Sequence, residues 1–464
     1  MSAKDFDDGI TEEVSEPEIE ERGVRLEDFV ALMPGHQSTF IFTPCRQPWP
    51  GANVNARLPR RRLLDQFGQP LLDEKGKIRT ISPTTWLIQN RSVEQMTWWP
   101  GHPMLIKDRL VVDGGWIERP GVTILNLYRR PRLKPGDADQ AGPWCTHVRE
   151  VYGEADAAHI IRWLAHRVQQ PGEKINHALV LGGAQGIGKD TLLEPVKEAV
   201  GHSNFKDIAP THLLGSFNSY ARSVILRVNE ARDLGEMNRF AFYDHSKVYT
   251  ASPPDVLRVN EKHLPEYYIV NCLGFLITTN HKTDGIYLPA DDRRHYVAWS
   301  ERTKEQFNPE YWNKLWDWYE TGGGYGHVAA FLAEYDLDGF DPKAPPPKTA
   351  AFWDIVGAGS APEDAELADV IEAMGNPDVL TLGQLIDCAL EKKSEAADWL
   401  IERKNRRAIP HRMERCGYTS LRNPDAKSDG RWVFQHRKQV VYANAKLSVH
   451  DQIAAVRQMS KEAK

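Results

Sequence analysis

Ala178–Thr191 reads ALVLGGAQGIGKDT, and the rest of the chain is interpreted from it. A short apolar run, Ala178–Leu181, meets a glycine-rich turn that leads into a helical pattern over Lys189–Val200. Gly183-x-x-x-x-Gly188-Lys189 has the Walker A spacing. Glycines let the backbone curl so that successive N–H groups, from Gly183 through Gln185, Gly186, Ile187 and Gly188, point inward at phosphate oxygens. The helix N-terminus adds partial positive charge, and Lys189 reaches the outer phosphates. The Ser or Thr that usually follows the lysine is replaced by Asp190, with Thr191 next. A Mg²⁺ ligand therefore comes from Asp190 or Thr191, or is reached through water.

Composition narrows the class. The 464 residues are enough for two to four domains, and a 41% hydrophobic content is enough for packed cores. The N-terminus is acidic (Asp5, Asp7, Asp8, Glu12, Glu13) and unlike a secretory leader, and no apolar run has the length of a membrane span. The five cysteines are scattered without a C-x-x-C pair, which argues against a zinc knuckle or disulfide framework and for a reducing interior. The net charge is −6, but residues 391–464 hold 17 Lys and Arg against 9 Asp and Glu. One end of an otherwise acidic chain is thus suited to a polyanion.

In chain order, residues 1–28 read as a disordered acidic tail and 29–150 as a small α+β domain. Strands are expected at Ser38–Pro44 and Thr85–Ile88, and at Leu105–Ile106 and Leu110–Val112 flanking a turn. Arg60, Arg61 and Arg62 form a basic triplet, read as a solvated face or a nucleic-acid contact. Asp137-x-Asp139 lies in a Pro/Gly-rich loop and reads as a turn rather than a metal pair. The stripe Ile160, Ile161, Trp163, Leu164, Val168 marks a helix leading into a P-loop domain over 151–335. Ser223–Val228 is a buried strand ending in Asn229-Glu230, the Walker B arrangement with Asn where an Asp is usual; Glu230 becomes the general base and a further metal contact. A third strand, Leu273–Thr279, ends at Asn280, whose amide can bond both a γ-phosphate and the attacking water. Asp291-Asp-Arg-Arg294 follows, and Arg293 is the preferred candidate for an arginine acting in trans. Lys247–Tyr268 reads as a hairpin with Lys262 and His263 at its tip. Residues 336–368, centred on Pro342–Pro347, read as a proline-rich linker. Residues 369–445 read as a winged helix whose basic third helix carries Arg406, Arg407 and Arg412, and 446–464 as a tail.

Taken together, a GKDT P-loop, a Glu-ended strand, a basic hairpin, Thr-Thr-Asn and Asp-Arg-Arg occur in this order within about 115 residues. This order resembles superfamily 3 helicases, and more closely the helicase module of phage and prophage primase–helicase proteins. The stretches near Asn126–Arg130, Trp163–Gln170 and Asn405–Arg412 are similar to the same proteins. The resemblance implies an α/β fold with a P-loop core of the ASCE/AAA+ type around a parallel central sheet. It implies an ATP- and Mg²⁺-dependent hexameric ring that moves on single-stranded or forked DNA in the cytoplasm of a bacterial host, with priming left to a separate protein. Gly183, Gly188 and Lys189 would hold phosphates, Glu230 activate water, Asn280 sense the γ-phosphate, Arg293 come from a neighbouring subunit, and Lys262 grip DNA. Rival readings are a P-loop small-molecule kinase, a nucleotide-switched DNA-binding protein, and a packaging or defence motor.

Overall fold

The computed structural model describes residues 23–33, 38–113, 115–229, 235–262, 264–282, 285–358, 362–394, 396–402, 406, 409–426, 430–434 and 437–462. The chain divides into two compact units, Met1–Ile355 and Val356–Lys464.

The first unit is built on a five-stranded sheet: β1 (Ala178–Gly183), β2 (Phe205–Ile208), β3 (Ile225–Val228), β4 (Gly274–Thr279) and β5 (His295–Ser300). All neighbouring pairs are parallel, in the order β2-β3-β4-β1-β5. Parallel strands are covered on both faces, so they read as unbroken apolar runs. Every residue of β1, β3 and β4 is buried. The late strand β4 sits between β1 and β3, with Gly182 opposite Thr279 and Val228 opposite Ile277. Three carboxyl ends therefore open on one crevice, the usual place for a ligand in such sheets. The helix Gly142–Gln169 precedes the sheet and turns at Gly153, where φ is 74°. The expected lead-in stripe, Ile160 to Leu164, is its buried face.

Before the sheet lie two smaller ones. Gln47–Pro50, Thr39–Phe42, Phe29–Leu32 and Ser92–Val93 form the first, over a core of Phe29, Ala31, Phe40, Val54, Leu58 and Leu87. Gln95–Thr97, Gly115–Asn126 and Leu105–Val112 form the second. Two expectations fail here. Thr85–Ile88 is not a strand but part of the helix Pro83–Asn90: Ser82 accepts a hydrogen bond from Thr85 N–H and Pro83 opens the first turn, a start signal that overrides the β-branched pair. Leu105–Val112 is one strand, not two runs around a turn, because Asp108 (φ 60°) forms a bulge that lets the ladder continue.

The expected hairpin is shorter than Lys247–Tyr268. Lys247 belongs to the helix Gly235–Thr250, and the antiparallel pair is Val256–Val259 with Tyr267–Val270. It is fixed to the rest of the unit. Thr97 Oγ1 donates to Tyr268 O (2.9 Å), Arg222 pairs with Glu261 (2.7 Å), and Val256 and Tyr268 pack on Ile106, Val111 and Ile124. The proline run is also tied down: Pro342 O accepts from Asn176 N–H (2.7 Å), and Thr349 Oγ1 donates to Val297 O (2.6 Å).

In the second unit, Pro362–Ala373 and Val379–Thr381 precede the helices Leu382–Glu391, Ala396–Ile401 and Ile409–Arg415. Thr381 and Gln384 close a capping box at the start of Leu382–Glu391. Val379–Thr381, Val441–Asn444 and Tyr418–Leu421 form an antiparallel sheet in that spatial order, and Trp432–Phe434 pairs with Arg437–Gln439 as a hairpin. The helix Val449–Glu462 follows. Among the described residues no helix is long and apolar enough to cross a membrane.

Candidate nucleotide site

The crevice at the carboxyl ends of β1, β3 and β4 contains a cavity of about 270 Å³. Its lining includes Gly188, Lys189, Thr191, Asn229, Asn280 and Trp316. The loop is shaped by glycine where nothing else fits. Gly188 caps the helix Lys189–Val200 at φ 91°, and a Cβ there would lie 2.5 Å from the His147 ring and 2.6 Å from the Trp312 ring. Gly183 has φ 138°, and its Cβ would meet Ile187 and Ser300. Such positions admit only glycine without strain.

Lys189 begins the helix but is itself buried. Its Nζ donates to Gly183 O (2.7 Å), Ala184 O (2.8 Å) and Asn280 Oδ1 (2.7 Å). Burial pushes its ammonium down to about 8, against a small upward pull from Asp190. Lys189 and the strand-tip amide of Asn280 are thus in direct contact, because Gly182 of β1 lies beside Thr279 of β4. These three acceptors are weak partners for a cation, and phosphate oxygens would replace them favourably.

Asn229, at the tip of β3, accepts from Thr278 Oγ1 (2.8 Å) and lines the same cavity. Asp190 accepts from Arg227 Nη1 (2.5 Å), and the Arg227 Nε donates to Asp207. The Arg227 side chain is only 6% exposed and lies mid-strand on β3, opposite Asp207 on β2. A buried guanidinium needs counter-charge. The unusual Asp after the lysine supplies part of it, while Thr191 lines the cavity. Among the described residues no three His, Cys, Asp or Glu side chains come together as a metal group. The carboxylate, hydroxyl and amide of Asp190, Thr191 and Asn229 suit Mg²⁺ carried chiefly by phosphate oxygens and water. Glu230 and His263 lie outside the described residues, as does Arg407.

Arg293 is far from this crevice within one chain. It is exposed and lies two residues before β5, whose first residue, His295, pairs with Ala178 at the start of β1. At ~3.3 Å per residue, the two ends of β5 are roughly 17 Å apart. Its base is rigid. Asp292 is buried and accepts from Tyr243 OH (2.9 Å) and Arg294 N–H (2.9 Å), with His295 Nδ1 at 3.1 Å. Burial alone would raise this carboxyl; the His295 contact, with the Arg294 and Tyr243 hydrogen bonds, outweighs it and holds the group down at about 2. Lys262 is exposed on the hairpin connection. Arg406 is exposed, whereas Arg412 lies over the Trp399 ring at 4.3 Å.

Four contributors escape sequence reading. Trp312 and Trp316, one turn apart on the helix Pro309–Glu320, wall the cavity. His147 sits against the loop: its Nε2 donates to Gly188 O (3.0 Å), so in the neutral ring Nδ1 accepts from Tyr311 OH (2.7 Å). Burial lowers the His147 pKa and favours that neutral form. Arg227 is the fourth. The spacing of the two tryptophans is a visible signal, but nothing local says which element their face meets.

Comparisons with known proteins agree with this architecture. A family of unknown function, DUF5906, matches residues 181–294, the span from the P-loop to the Asp-Arg-Arg turn. A DNA primase-polymerase of Nitratiruptor phage NrS-1 is 26% identical over 200 residues, 42% of this chain. The chain covers 27% of that relative's length. The apo structure of the NrS-1 C-terminal region superposes with a TM-score of 0.57 at 14% identity, over 90% of this chain and 96% of that region. Its A form gives 0.56 over the same shares. The chain is a mixed α/β protein with a parallel five-stranded sheet, and it shares its fold with that region.

Proposed function

We propose that this chain is an ATP-hydrolysing DNA motor of phage or prophage replication, assembled as a ring, a hexamer as in the helicases its motif order resembles, on single-stranded or forked DNA. The observation that carries the reading is the direct Lys189–Asn280 contact at the mouth of a glycine-built loop, on a sheet whose late strand lies between the P-loop strand and the Asn229 strand. The relative's name, DNA primase-polymerase, supports a place in replication. Priming would then fall to another protein or another segment.

In this reading the loop N–H groups and Lys189 bind the phosphates of ATP. Lys189 leaves the Gly183 and Ala184 carbonyls and Asn280 Oδ1 to do so, which frees Asn280 to orient the attacking water, with Glu230 as its base. Thr191 and Asp190, directly or through water, would hold a Mg²⁺ ion, which would supply charge neutralisation for the phosphates. Arg293, on the opposite edge of the sheet, completes the site of a neighbouring copy and stabilises the charge that develops on the transferred group. Lys262 and His263 on the hairpin, and a winged helix formed by the second unit with Arg406, Arg407 and Arg412, would contact DNA. The second unit's strand order and the hairpin before its last strand support the winged-helix assignment. A cytoplasmic location in the host follows from the same role.

Strand displacement on forked DNA with ATP, alongside native mass measurement, tests the proposal. Unwinding by a multimer supports it; a monomer that turns over ATP at full rate regardless of concentration and DNA refutes it. Asn229, tied to Thr278, favours one alternative, a nucleotide-switched DNA-binding protein. Tight ATP binding with no DNA-stimulated turnover would select that alternative.

A further inference from the structure

Residues 59–80 form an arm that the nucleotide site does not use. Its sequence is an eight-residue repeat: LLDQFGQP at 63–70 and LLDEKGKI at 71–78. Each repeat closes the same turn. Asp65 Oδ1 accepts from Phe67 and Gln69 N–H (2.8 and 2.9 Å), and Asp73 Oδ1 from Lys75 and Lys77 N–H (2.9 and 2.8 Å). Gly68 and Gly76 follow at φ 80° and 71°. Leu63 N–H donates to Arg79 O, Arg79 N–H to Leu71 O, and Leu71 N–H to Leu63 O, at 2.8–3.0 Å. Three positions at the repeat spacing thus close a ring of backbone hydrogen bonds, which fixes the arm's shape without a core.

That shape leaves costly groups in water. Leu64, Phe67, Leu72 and Ile78 are 55%, 79%, 58% and 42% exposed. Around them stand Arg57, Arg60, Arg61, Arg62, Lys75, Lys77 and Arg79 against Asp65, Asp73 and Glu74. Two of those three acids have an oxygen turned to their own turn's N–H groups. Arg60 donates to neutral Thr80 (2.9 Å), and Arg61 lies over the Trp86 ring at 4.5 Å with Glu27 3.7 Å away. On a chain of net charge −6, this is an exposed cationic segment with an aromatic ring, Phe67, in its first turn. A partner that gains from both properties is anionic along its length and offers flat apolar faces. A single nucleic-acid strand does so; a duplex hides its bases.

We propose that this arm is a binding element for single-stranded DNA, with Arg62, Lys77 and Arg79 on phosphates and Phe67 against an unstacked base. The choice of DNA rests on the proposed motor function; the site itself needs no nucleotide. The test uses the full chain without ATP and a fluorescein-labelled oligothymidylate, with anisotropy read across a salt series. Arg62→Gln/Lys77→Gln/Arg79→Gln should flatten the slope of log affinity against log salt by roughly 2, at about 0.7 per lost phosphate contact. Phe67→Ala should weaken binding about tenfold, the usual effect of one lost stacking platform, and leave the slope unchanged. An iodouracil-substituted strand should cross-link to the tryptic peptide 63–75, which serves as a readout even if a variant folds poorly. Wild-type binding by both variants, cross-links only in other peptides, or an equal effect of Phe67→Ala on duplex would overturn the proposal. So would loss of assembled mass at unchanged DNA affinity, which would make the arm a contact between copies. If the unaltered chain binds no oligothymidylate, the DNA-motor reading fails and takes the arm with it; wild-type behaviour of the arm variants alone leaves that reading intact.

Discussion

The two edges of the central sheet hold their cations in opposite ways. At the carboxyl edge, Lys189 is buried and bound to two loop carbonyls and an amide, partners it can exchange for phosphate. At the amino edge, Arg293 is exposed, and the rigidity lies in the residue before it: Asp292, locked by Tyr243, His295 and the Arg294 N–H. One edge holds its charge inside a pocket on neutral acceptors. The other has a fixed base under a charge that points outward. The proposed catalytic site uses one of each, and within a single copy they lie at opposite ends of the sheet, whose strand β5 is itself roughly 17 Å long. The proposed chemistry at a seam between copies would use this difference.

The comparison is most sharply broken by substitutions on the two edges. Arg293→Ala should cut ATP turnover by about 10³-fold or more while nucleotide binding persists. Lys189→Ala should lose both. Mixing the two inactive proteins should restore part of the turnover, because a mixed seam can join an intact Lys189 to an intact Arg293; a steady-state assay of the mixture that stays at zero would remove the argument. Next in size is Gly188→Ala. Its φ of 91° and the 2.5 Å approach to His147 mean that the loop must shift. Equilibrium dialysis should show nucleotide affinity down by roughly two orders of magnitude, from about 2–3 kcal/mol of strain.

Smaller effects separate base from phosphate. Trp316→Ala should weaken ATP about tenfold, in line with ~1–1.5 kcal/mol for an aromatic contact, and leave inorganic triphosphate unaffected. Calorimetry with both ligands decides it; equal losses would place Trp316 in loop packing instead. The smallest effect is in pH. Lys189 in the free protein loses its proton near 8, and a bound phosphate would raise that value. Affinity should therefore be flat below pH 8 and fall as pH rises through it, by up to about tenfold per unit. A flat profile to pH 9.5 would show that Lys189 is not held as described.

The local geometry around the candidate site was readable because it is local. The strand ends at Gly183, Gly188 caps the following helix and Lys189 begins it, as the glycine-lysine spacing predicts. Buried strands announce themselves as apolar runs, which is why β1, β3 and β4 were legible. The errors were local competitions as well. At Thr85–Ile88 a capping signal beat strand propensity, and at Leu105–Val112 a bulge at Asp108 kept one strand whole. Pro342, at the start of the proline run, accepts a hydrogen bond from Asn176, a partner that composition, which reports stiffness, does not show.

By itself the sequence determined a glycine loop able to cradle phosphate, strand tips bearing Asn229 and Asn280, and cations sorted toward particular stretches, because each depends on neighbours a few residues apart. Only the tertiary structure decided that β4 enters between β1 and β3 and so sets Asn280 on Lys189. It also decided that Asp190 answers the buried Arg227, that two tryptophans from a helix over 120 residues downstream wall the cavity, and that Arg293 stands on the far edge. Strand order and helix packing bring together residues of large sequence separation, and the free energy that selects them is spread over the whole buried surface rather than written in any one segment.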